Sequence, residues 1–356
     1  MFLREILSNH FHSVAIIGMA KNTGKTYTFN QLVTEGQRLG IKMALTSLGL
    51  DGEERDSIQF HKKPSIKVYP GVVVANAKVL LLESQLDYEV MATTGVYTPL
   101  GEVVLARVLS AGTMVLAGPG SAQHLASVKQ RLGSMDIDLL LVDGAADRRS
   151  LSVPLITDTA VLAVGAEVAW DRLQLLDRLR HFLQVLTLPG LDDAEAEKVF
   201  QAATEDVKLV GLAEDGQICR VTRDEFLSRG AVLSESQQPG LKVVYVRGML
   251  TDAVLAKVLG SAARPASFTL VASDPTAVFL SRGSLARLAS QGVELCVLRP
   301  LHLSAVTVSP FHSRYGHADP IGLLEDVGRT VHPIPCFDLR LGLRYRPAKE
   351  EIDAVP

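Results

Sequence analysis

Short apolar runs alternate with amphipathic segments along most of the chain, and this alternation predicts a doubly wound α/β fold with a mostly parallel sheet. The first run, Ser13–Ile17, is β-branched and almost continuously apolar, as is typical of a buried strand. From Lys25 to Leu39 the apolar residues recur at spacings of three, four or seven, and Gly40 marks the end of the predicted helix. This segment is therefore predicted to form a strand, a loop and a helix.

The alternation continues to about residue 190. Further strands are predicted at the apolar runs 41–47, 66–69, 71–75, 80–83, 88–93, 113–117, 138–143 and 159–164. Thr98 and Pro99 are residue types preferred at a helix N-cap and at the first helical position, so a helix is predicted from there to Leu109. Asp171–Leu186 carries an apolar face typical of a helix.

The length of 356 residues exceeds that of a typical single domain, which favours two domains. The pattern changes around Leu188-Pro189-Gly190, and a second set of strands and helices follows. We predict a first α/β domain at residues 1–190, a second, smaller α/β domain at 191–345 and a charged tail at 346–356.

The loop between the first strand and helix has the sequence Gly18-Met19-Ala20-Lys21-Asn22-Thr23-Gly24-Lys25-Thr26. Loop amides and the positive end of a helix dipole attract phosphate oxygens, while a glycine lets the phosphate approach closely. In this context a lysine reaches the β- and γ-phosphates and a hydroxyl binds Mg²⁺. The sequence predicts a nucleoside triphosphate site formed by Gly18, Ala20, Lys21, Asn22, Thr23, Gly24, Lys25, Thr26 and Tyr27. The alternative is a tight strand-to-helix turn whose lysine and threonine cap and solvate the helix.

Five residues separate Gly18 from Gly24, whereas the common phosphate-loop pattern has four. The longer spacing resembles the dethiobiotin synthetase and cobyrinic acid amidase group of P-loop proteins. Related ATPases carry an additional lysine that reaches the partner's nucleotide across a homodimer. Lys21 lies one position from the place of that lysine, so both this role and that of a solvated loop lysine stay open.

Two acidic side chains complete the predicted site. Asp143 ends the apolar strand 138–143, where it is placed to hold Mg²⁺ directly or through water if that strand lies beside the first one. Asp51 follows the strand 41–47 in a segment that also contains Glu53; a loop there can respond to the γ-phosphate. We predict that Lys25, Asp51 and Asp143 are catalytic and that Thr26, Asp51 and Asp143 bind the metal. The alternatives are a helix cap at Asp143 and an acidic surface turn at Asp51.

Composition narrows the functional class. The chain is 47% hydrophobic with a net charge of −3 and has no dense basic run, which argues against disorder and against nucleic-acid binding. Its 3 cysteines are widely scattered, which suits a reducing compartment. We expect a cytoplasmic protein without a membrane partner. The guanine-reading sequence Asn-Lys-x-Asp does not occur, which favours ATP as the nucleotide.

Several motifs together resemble the ATP-binding subunit of the lysine 5,6-aminomutase reactivase. They are Ile17–Thr26, Thr98-Pro99-Leu100-Gly101, Ala117-Gly118-Pro119-Gly120, Val142-Asp143-Gly144 and Ile334-Pro335-Cys336-Phe337-Asp338-Leu339. The resemblance implies a cytoplasmic, chaperone-like ATPase that acts with a MutS-like ATPase subunit on a cobalamin-dependent aminomutase, releasing damaged cofactor.

The expected mechanism is a nucleotide-gated conformational change that alters a surface gripping a protein partner. The irregular, ring-rich segment Ser309–Pro320, assigned here to the second domain, is the candidate for that surface; an ordinary connection is its alternative. Two other functions stay open. One is an ATP-dependent ligase of the dethiobiotin synthetase type, acting on a small carboxylate or amine. The other is a nucleotide-binding regulator with almost no hydrolysis.

Overall fold

The computed structural model describes residues 2–7, 10–48, 65–144, 156–228, 240–259, 268–347 and 353–354. The chain forms two compact units. The first combines Met1–Phe182 with His302–Pro356, and the second is Leu183–Leu301.

The helices in the described ranges are α1 (Phe2–Leu7), α2 (Lys25–Leu39), α3 (Lys78–Glu83), α4 (Ala122–Gly133), α5 (Arg172–Leu186), α6 (Asp193–Ala202), α7 (Arg223–Ser228), α8 (Asp252–Leu259), α9 (Arg282–Ser290) and α10 (Pro320–Val331). The strands of the first unit are β1 (Ser13–Gly18), β2 (Met43–Ser47), β3 (Ile66–Val68), β4 (Val73–Ala77), β5 (Tyr88–Thr98), β6 (Gly101–Val108), β7 (Gly112–Met114), β8 (Leu139–Asp143), β9 (Thr159–Gly165), β17 (Leu303–Ser309), β18 (Phe311–His312), β19 (Gly316–His317), β20 (Cys336–Asp338), β21 (Leu343–Arg344) and β22 (Asp353–Ala354). Those of the second unit are β10 (Val207–Ala213), β11 (Ile218–Thr222), β12 (Leu241–Val246), β13 (Leu250–Thr251), β14 (Thr269–Ala272), β15 (Val278–Phe279) and β16 (Glu294–Val297).

A large, mostly parallel sheet organises the first unit. Its strand order is β22-β21-β20-β17-β9-β1-β8-β2-β4-β6-β5. The pairs from β20 to β4 are parallel, and antiparallel strands complete both edges. Strand β1 therefore has parallel neighbours on both sides, which is why it carries a continuous apolar run rather than an alternating one.

The amino-terminal end of β1 is fixed by a carboxylate. Asp158 accepts hydrogen bonds from the backbone N–H groups of His12, at 2.8 Å, and Ser13, at 2.9 Å, and it pairs with Lys129 at 2.9 Å. Burial alone would raise the pKa of Asp158, but the hydrogen bonds from Lys129 and from this backbone hold it below its ordinary value.

Helix α2 packs on the sheet through its apolar face. Phe29 and Leu32 are fully buried in one core cluster with Ile16 and Phe337. Each buried side chain of this size stabilises the fold by roughly 1.5–3 kcal/mol. Gly36 lies against Met43 of β2 and leaves no room for a side chain, so helix and sheet approach closely there.

The predicted strand at 80–83 is wrong. These residues belong to α3, where Leu80 and Leu81 are buried and Leu82 is 66% exposed. The N–H of Ser84 closes the last turn on the carbonyls of Leu80 and Leu81. A run of three leucines fits a strand and a short helix equally well, so the apolar pattern does not distinguish the two.

The predicted helix from Thr98 to Leu109 is also wrong, because this segment is half of a hairpin formed by β5 and β6. The Thr98 hydroxyl donates to the Gly101 carbonyl at 3.0 Å and accepts from the N–H of Leu100 at 3.1 Å. Gly101 has φ 94°, which suits the turn and not a helix. The Thr-Pro pair therefore builds a turn with the hydrogen bonds that would otherwise cap a helix.

The predicted second domain, 191–345, differs from the second unit at its carboxyl side. Residues 302–345 return to the first unit, where β17 pairs with β9 and β20 pairs with β17. The tail predicted at 346–356 contributes β22, which pairs with β21. The second unit thus interrupts a single large sheet between β9 and β17.

The second unit has its own sheet, ordered β11-β10-β12-β14-β16. Strands β12, β14 and β16 are parallel, while β10 and β11 are antiparallel to their neighbours. Separate apolar clusters cover its two faces, one including Leu255 and Leu288 from helices α8 and α9, the other including Val199 from α6.

Candidate phosphate-binding site

The loop from Gly18 to Gly24 leaves the sheet at the carboxyl end of β1. The Met19 N–H donates to the carbonyl of Ala163 in β9 at 3.2 Å, and the buried Thr23 hydroxyl donates to the carbonyl of Ala20 at 3.0 Å. Asn22 and Gly24 both have left-handed backbones, with φ 58° and 95°. Left-handed residues in such a turn direct successive amides into one concavity, which suits an anion.

The side chain of Lys25 folds back over this concavity. A Cβ atom placed on Gly18 would lie 2.9 Å from both Cγ and Cδ of Lys25 and 2.7 Å from Oγ1 of Thr23. Position 18 is therefore filled by its neighbours, and a glycine is required there. The structure brings together Gly18, Thr23 and Lys25 as the sequence predicted.

Helix α2 starts immediately behind the loop, with Gly24 as its N-cap residue. The Thr28 N–H donates to the Gly24 carbonyl at 2.9 Å, so the first turn is regular and its amides face the loop. Thr26 is half-buried, and Tyr27 is 49% exposed. The 15-residue helix thus directs the positive end of its dipole at the loop.

Asp143 lies on the neighbouring strand at the same edge of the sheet. It pairs in register with Ile16 of β1 on one side and with Ser47 of β2 on the other. Its carbonyl accepts from the N–H of Leu48 at 3.1 Å, and the next residue, Gly144, donates to Ile16 at 3.0 Å. The sequence prediction that this acid ends a parallel strand beside β1 is confirmed; its metal-binding role stays a prediction.

In the motif Ala117-Gly118-Pro119-Gly120, the first glycine lies too close to strand β2 for a side chain. Its N–H donates to the Ser47 hydroxyl at 3.0 Å, and a Cβ there would collide with the Ser47 carbonyl and the Thr46 side chain. The segment passes directly against the carboxyl end of β2. A close backbone approach explains Gly118.

The predicted catalytic and metal-binding residue Asp51 lies outside the described residues, as does Glu53. Within the described ranges no group of three or more His, Cys, Asp or Glu side chains is arranged to hold a metal ion. Thr26 and Asp143 carry oxygen donors of the kind that Mg²⁺ takes beside phosphates and water, and their metal-binding role stays a prediction.

A second carboxylate, not singled out from the sequence, touches the loop. Glu167 follows β9 in a short 3₁₀ turn, Ala166–Val168, and its carboxylate bonds to the Asn22 side chain and to the N–H of Ser313, the latter at 2.6 Å. Burial alone would raise the pKa of Glu167, but the hydrogen bonds from Ser313, then the charge of His312 and last the hydrogen bond from Asn22 outweigh it and lower the pKa. Like Asp143, Glu167 is an acid just after an apolar strand, so the same signal marks it.

An aromatic cluster lies beside this carboxylate and contacts it through His312. The rings of Trp170, His312 and Tyr315 have centroids 4.7–5.7 Å apart, and the Arg314 guanidinium lies 5.3 Å over Tyr315. His312 Nδ1 accepts from the N–H groups of Arg314 and Tyr315, at 3.0 and 3.3 Å, which places the ring proton of the neutral imidazole on Nε2. Nε2 lies 3.9 Å from the Glu167 carboxylate.

The segment Ser309–Pro320 therefore belongs to the first unit, not to the second domain assigned from the sequence. Ser309 ends β17 beside the phosphate loop, since a Cβ on Gly24 would lie 3.2 Å from Cβ of Ser309. Gly165 packs against the same place, where a Cβ would meet Cα of Thr23 at 3.2 Å. The chain returns to the large sheet at β17, and this places the segment in the first unit.

Comparison with known proteins adds little to this geometry. No protein-family model and no curated protein sequence matches the chain. Among solved structures, the chain is similar to the MinC:MinD cell division protein complex of Aquifex aeolicus, with 20% identity over 49% of this chain and 63% of that chain. The TM-score is 0.27, which is too low to define a shared fold.

None of the described helices combines the length and the apolar character needed to cross a membrane.

Proposed function

We propose that the loop Gly18–Thr26 binds Mg²⁺-ATP and that the protein hydrolyses it. The observation that carries this proposal is the side chain of Lys25, folded over Gly18 in front of a helix N-terminus. A turn that merely caps a helix needs neither a lysine folded back over the loop nor a glycine at position 18. Loop amides, the helix dipole and one ammonium together match the charge of a triphosphate.

The residues take the following roles. Lys25 neutralises the β- and γ-phosphates. The amides that surround the phosphate oxygens are those of Gly18, Ala20, Lys21, Asn22, Thr23, Gly24, Lys25, Thr26 and Tyr27. Thr26 and Asp143 hold Mg²⁺, and Asp51 orients water or metal. The bound ion supplies charge neutralisation of the phosphates. Lys25, Asp51 and Asp143 form the catalytic set.

Glu167 couples this site to the ring cluster. Its carboxylate joins Asn22 of the loop to Ser313, and the segment with Ser313 also carries His312 and Tyr315. A loop that tightens on a triphosphate and relaxes on hydrolysis changes the position of Asn22, and this change reaches the rings through Glu167. The exposed rings, Trp170 at 42% and Tyr315 at 51%, form a surface that responds to the nucleotide.

At a more specific level, we propose the function that the sequence motifs imply. The protein then acts as the ATP-binding subunit of a reactivase that works with a MutS-like subunit on a cobalamin-dependent aminomutase. The supporting observations are the five motifs and the exposed rings of Trp170 and Tyr315 beside the segment that Glu167 contacts. Opening of the aminomutase would follow ATP turnover, and damaged cofactor would leave.

A two-part experiment tests both levels. Mg²⁺-dependent ATP turnover by the purified chain, lost in Lys25→Ala, supports the nucleotide site; absence of ATP binding to the wild type contradicts it. ATP-dependent release of cobalamin from inactivated lysine 5,6-aminomutase, with the MutS-like subunit present, supports the finer role. Turnover stimulated by a small carboxylate or amine instead would identify the ligase function, and tight binding without turnover would identify the regulator.

A further inference from the structure

A cavity of about 490 Å³ lies in the second unit, at the carboxyl ends of its parallel strands. Its lining includes Tyr245 and Arg247 at the end of β12, Ser273 after β14 and Arg299 after β16. Crevices outside the carboxyl ends of parallel strands are the common ligand sites of open α/β sheets. The volume is that of a small-molecule site.

Basic side chains dominate this cavity. Arg223, Arg247 and Arg299 line it, and Lys208 lies beside it, donating to the Arg247 carbonyl at 2.7 Å. Burial and the nearby charge of Arg223 lower the pKa of Lys208, which places both groups in one positive region.

Two carboxylates compensate only part of this charge. Asp274 pairs with Arg299 at 2.9 Å. The pKa of Asp206 is lowered by the hydrogen bonds from Thr204 and from its own backbone, and then by the charges of Arg247 and Arg223. Among the described residues, three arginines thus line the cavity, and one of them, Arg299, is paired with a carboxylate. The Asp274 side chain is 6% exposed and that of Arg299 is 65% exposed, so the ion pair holds the guanidinium in place and leaves it accessible.

The remaining lining offers two hydroxyl groups and an aromatic ring. The hydroxyls of Tyr245 and Ser273 are 2.9 Å apart, and either can donate to an oxyanion. Phe200 of α6 also lines the cavity and is 70% exposed, which offers an aromatic face to a planar or apolar group.

We propose that this cavity binds a small organic phosphate. Three guanidinium groups line the cavity, and guanidinium groups match phosphate geometry through paired N–H donors. The organic part lies against Phe200 and Tyr245. This site lies wholly within the second unit and does not rest on the proposed nucleotide site.

Phenyl phosphate is a suitable probe, because it combines the dianion with an aromatic ring. Titration calorimetry is done on the full chain carrying Lys25→Ala, so that the phosphate loop does not take up the probe. We expect one saturable site. Adding Arg223→Gln or Arg299→Gln is expected to raise Kd roughly tenfold to a hundredfold, the cost of a lost charged hydrogen bond. Arg287→Gln, on the unrelated helix α9, is the matched control and leaves Kd unchanged.

Three results would overturn the proposal. They are no saturable binding of phenyl phosphate, the same Kd in both cavity variants as in the control, or equally tight binding of inorganic phosphate, which would remove the organic part from recognition. Circular dichroism verifies that each variant is folded. The two arginines lie on different elements, so loss of folding in one variant leaves the other to decide.

Discussion

The carboxylate of Glu167 accepts a hydrogen bond from the backbone N–H of Ser313 at 2.6 Å, joining two segments that are 146 positions apart in sequence. The same carboxylate bonds to Asn22 of the phosphate loop. Glu167 thereby fixes the loop on one side and the ring cluster of Trp170, His312 and Tyr315 on the other.

Removal of the loop ammonium tests the central assignment. Lys25→Ala is expected to raise the Kd for Mg²⁺-ATP roughly tenfold to a hundredfold, because it removes a charge-assisted hydrogen bond to the phosphates. The melting temperature of the free protein should stay the same. Calorimetry and thermal unfolding measure both, and Lys42→Ala, whose lysine pairs with Asp136 at the surface, is the control. An unchanged Kd would remove Lys25 from the site.

A side chain added at position 18 should weaken nucleotide binding by displacing Lys25. In Gly18→Ala the new methyl group would overlap Lys25 Cγ and Cδ and Thr23 Oγ1, so the lysine must move. We expect about tenfold weaker Mg²⁺-ATP binding and a stability loss of about 1–3 kcal/mol, as for other overpacked sites. Gly133→Ala, where no atom lies within 4 Å of the added Cβ, is the matched control. Equal behaviour of the two variants would contradict the packing argument.

Asp143→Asn separates metal use from nucleotide binding. The amide keeps the size of the side chain but lacks the charge that holds Mg²⁺. ATP turnover at saturating nucleotide should fall roughly tenfold or more, while the Kd for ATP changes less. Asp138→Asn is the control, because Asp138 directly precedes the first residue of the same strand. Equal losses in turnover and binding would mark Asp143 as structural.

The lowered pKa of Glu167 leads us to expect that the stability of the folded protein depends on pH. The folded pKa of Glu167 lies below the ordinary value of 4.5, so the ionised form is stabilised by folding. This contribution is complete above the unfolded pKa and disappears as pH falls through the folded pKa. The melting temperature of the wild type should exceed that of Glu167→Gln near neutral pH, and the two should converge at acid pH. Glu89→Gln, from a surface pair with Arg107, is the control; a difference independent of pH would refute the assignment.

Trp170 provides a direct reporter, because it is the single tryptophan of the chain. If Glu167 transmits loop movement to the rings, Mg²⁺-ATP should change the fluorescence of Trp170. The change should be absent in Lys25→Ala and weaker in Glu167→Gln. A full signal in Glu167→Gln would show that the rings respond by another route.

Local signals determined the core of the candidate site. The β-branched run Ser13–Ile17, the helical spacing from Lys25 to Leu39 and the loop between them predicted β1, the phosphate loop and α2. Asp143 was found in the same way, as an acid at the end of an apolar strand. These features depend on residues close in sequence, and the local pattern of apolar and polar side chains largely sets their conformation.

Tertiary structure alone decided the rest. Whether Thr98-Pro99 starts a helix or turns a hairpin depends on pairing between strands, since β6 lies between β4 and β5 in the sheet. The return of β17 to the large sheet placed Ser309 beside Gly24 and brought Ser313 to Glu167. The contacts of β17, Ser309 and Ser313 join segments separated by more than a hundred residues, and hydrophobic periodicity carries no information about which strands pair.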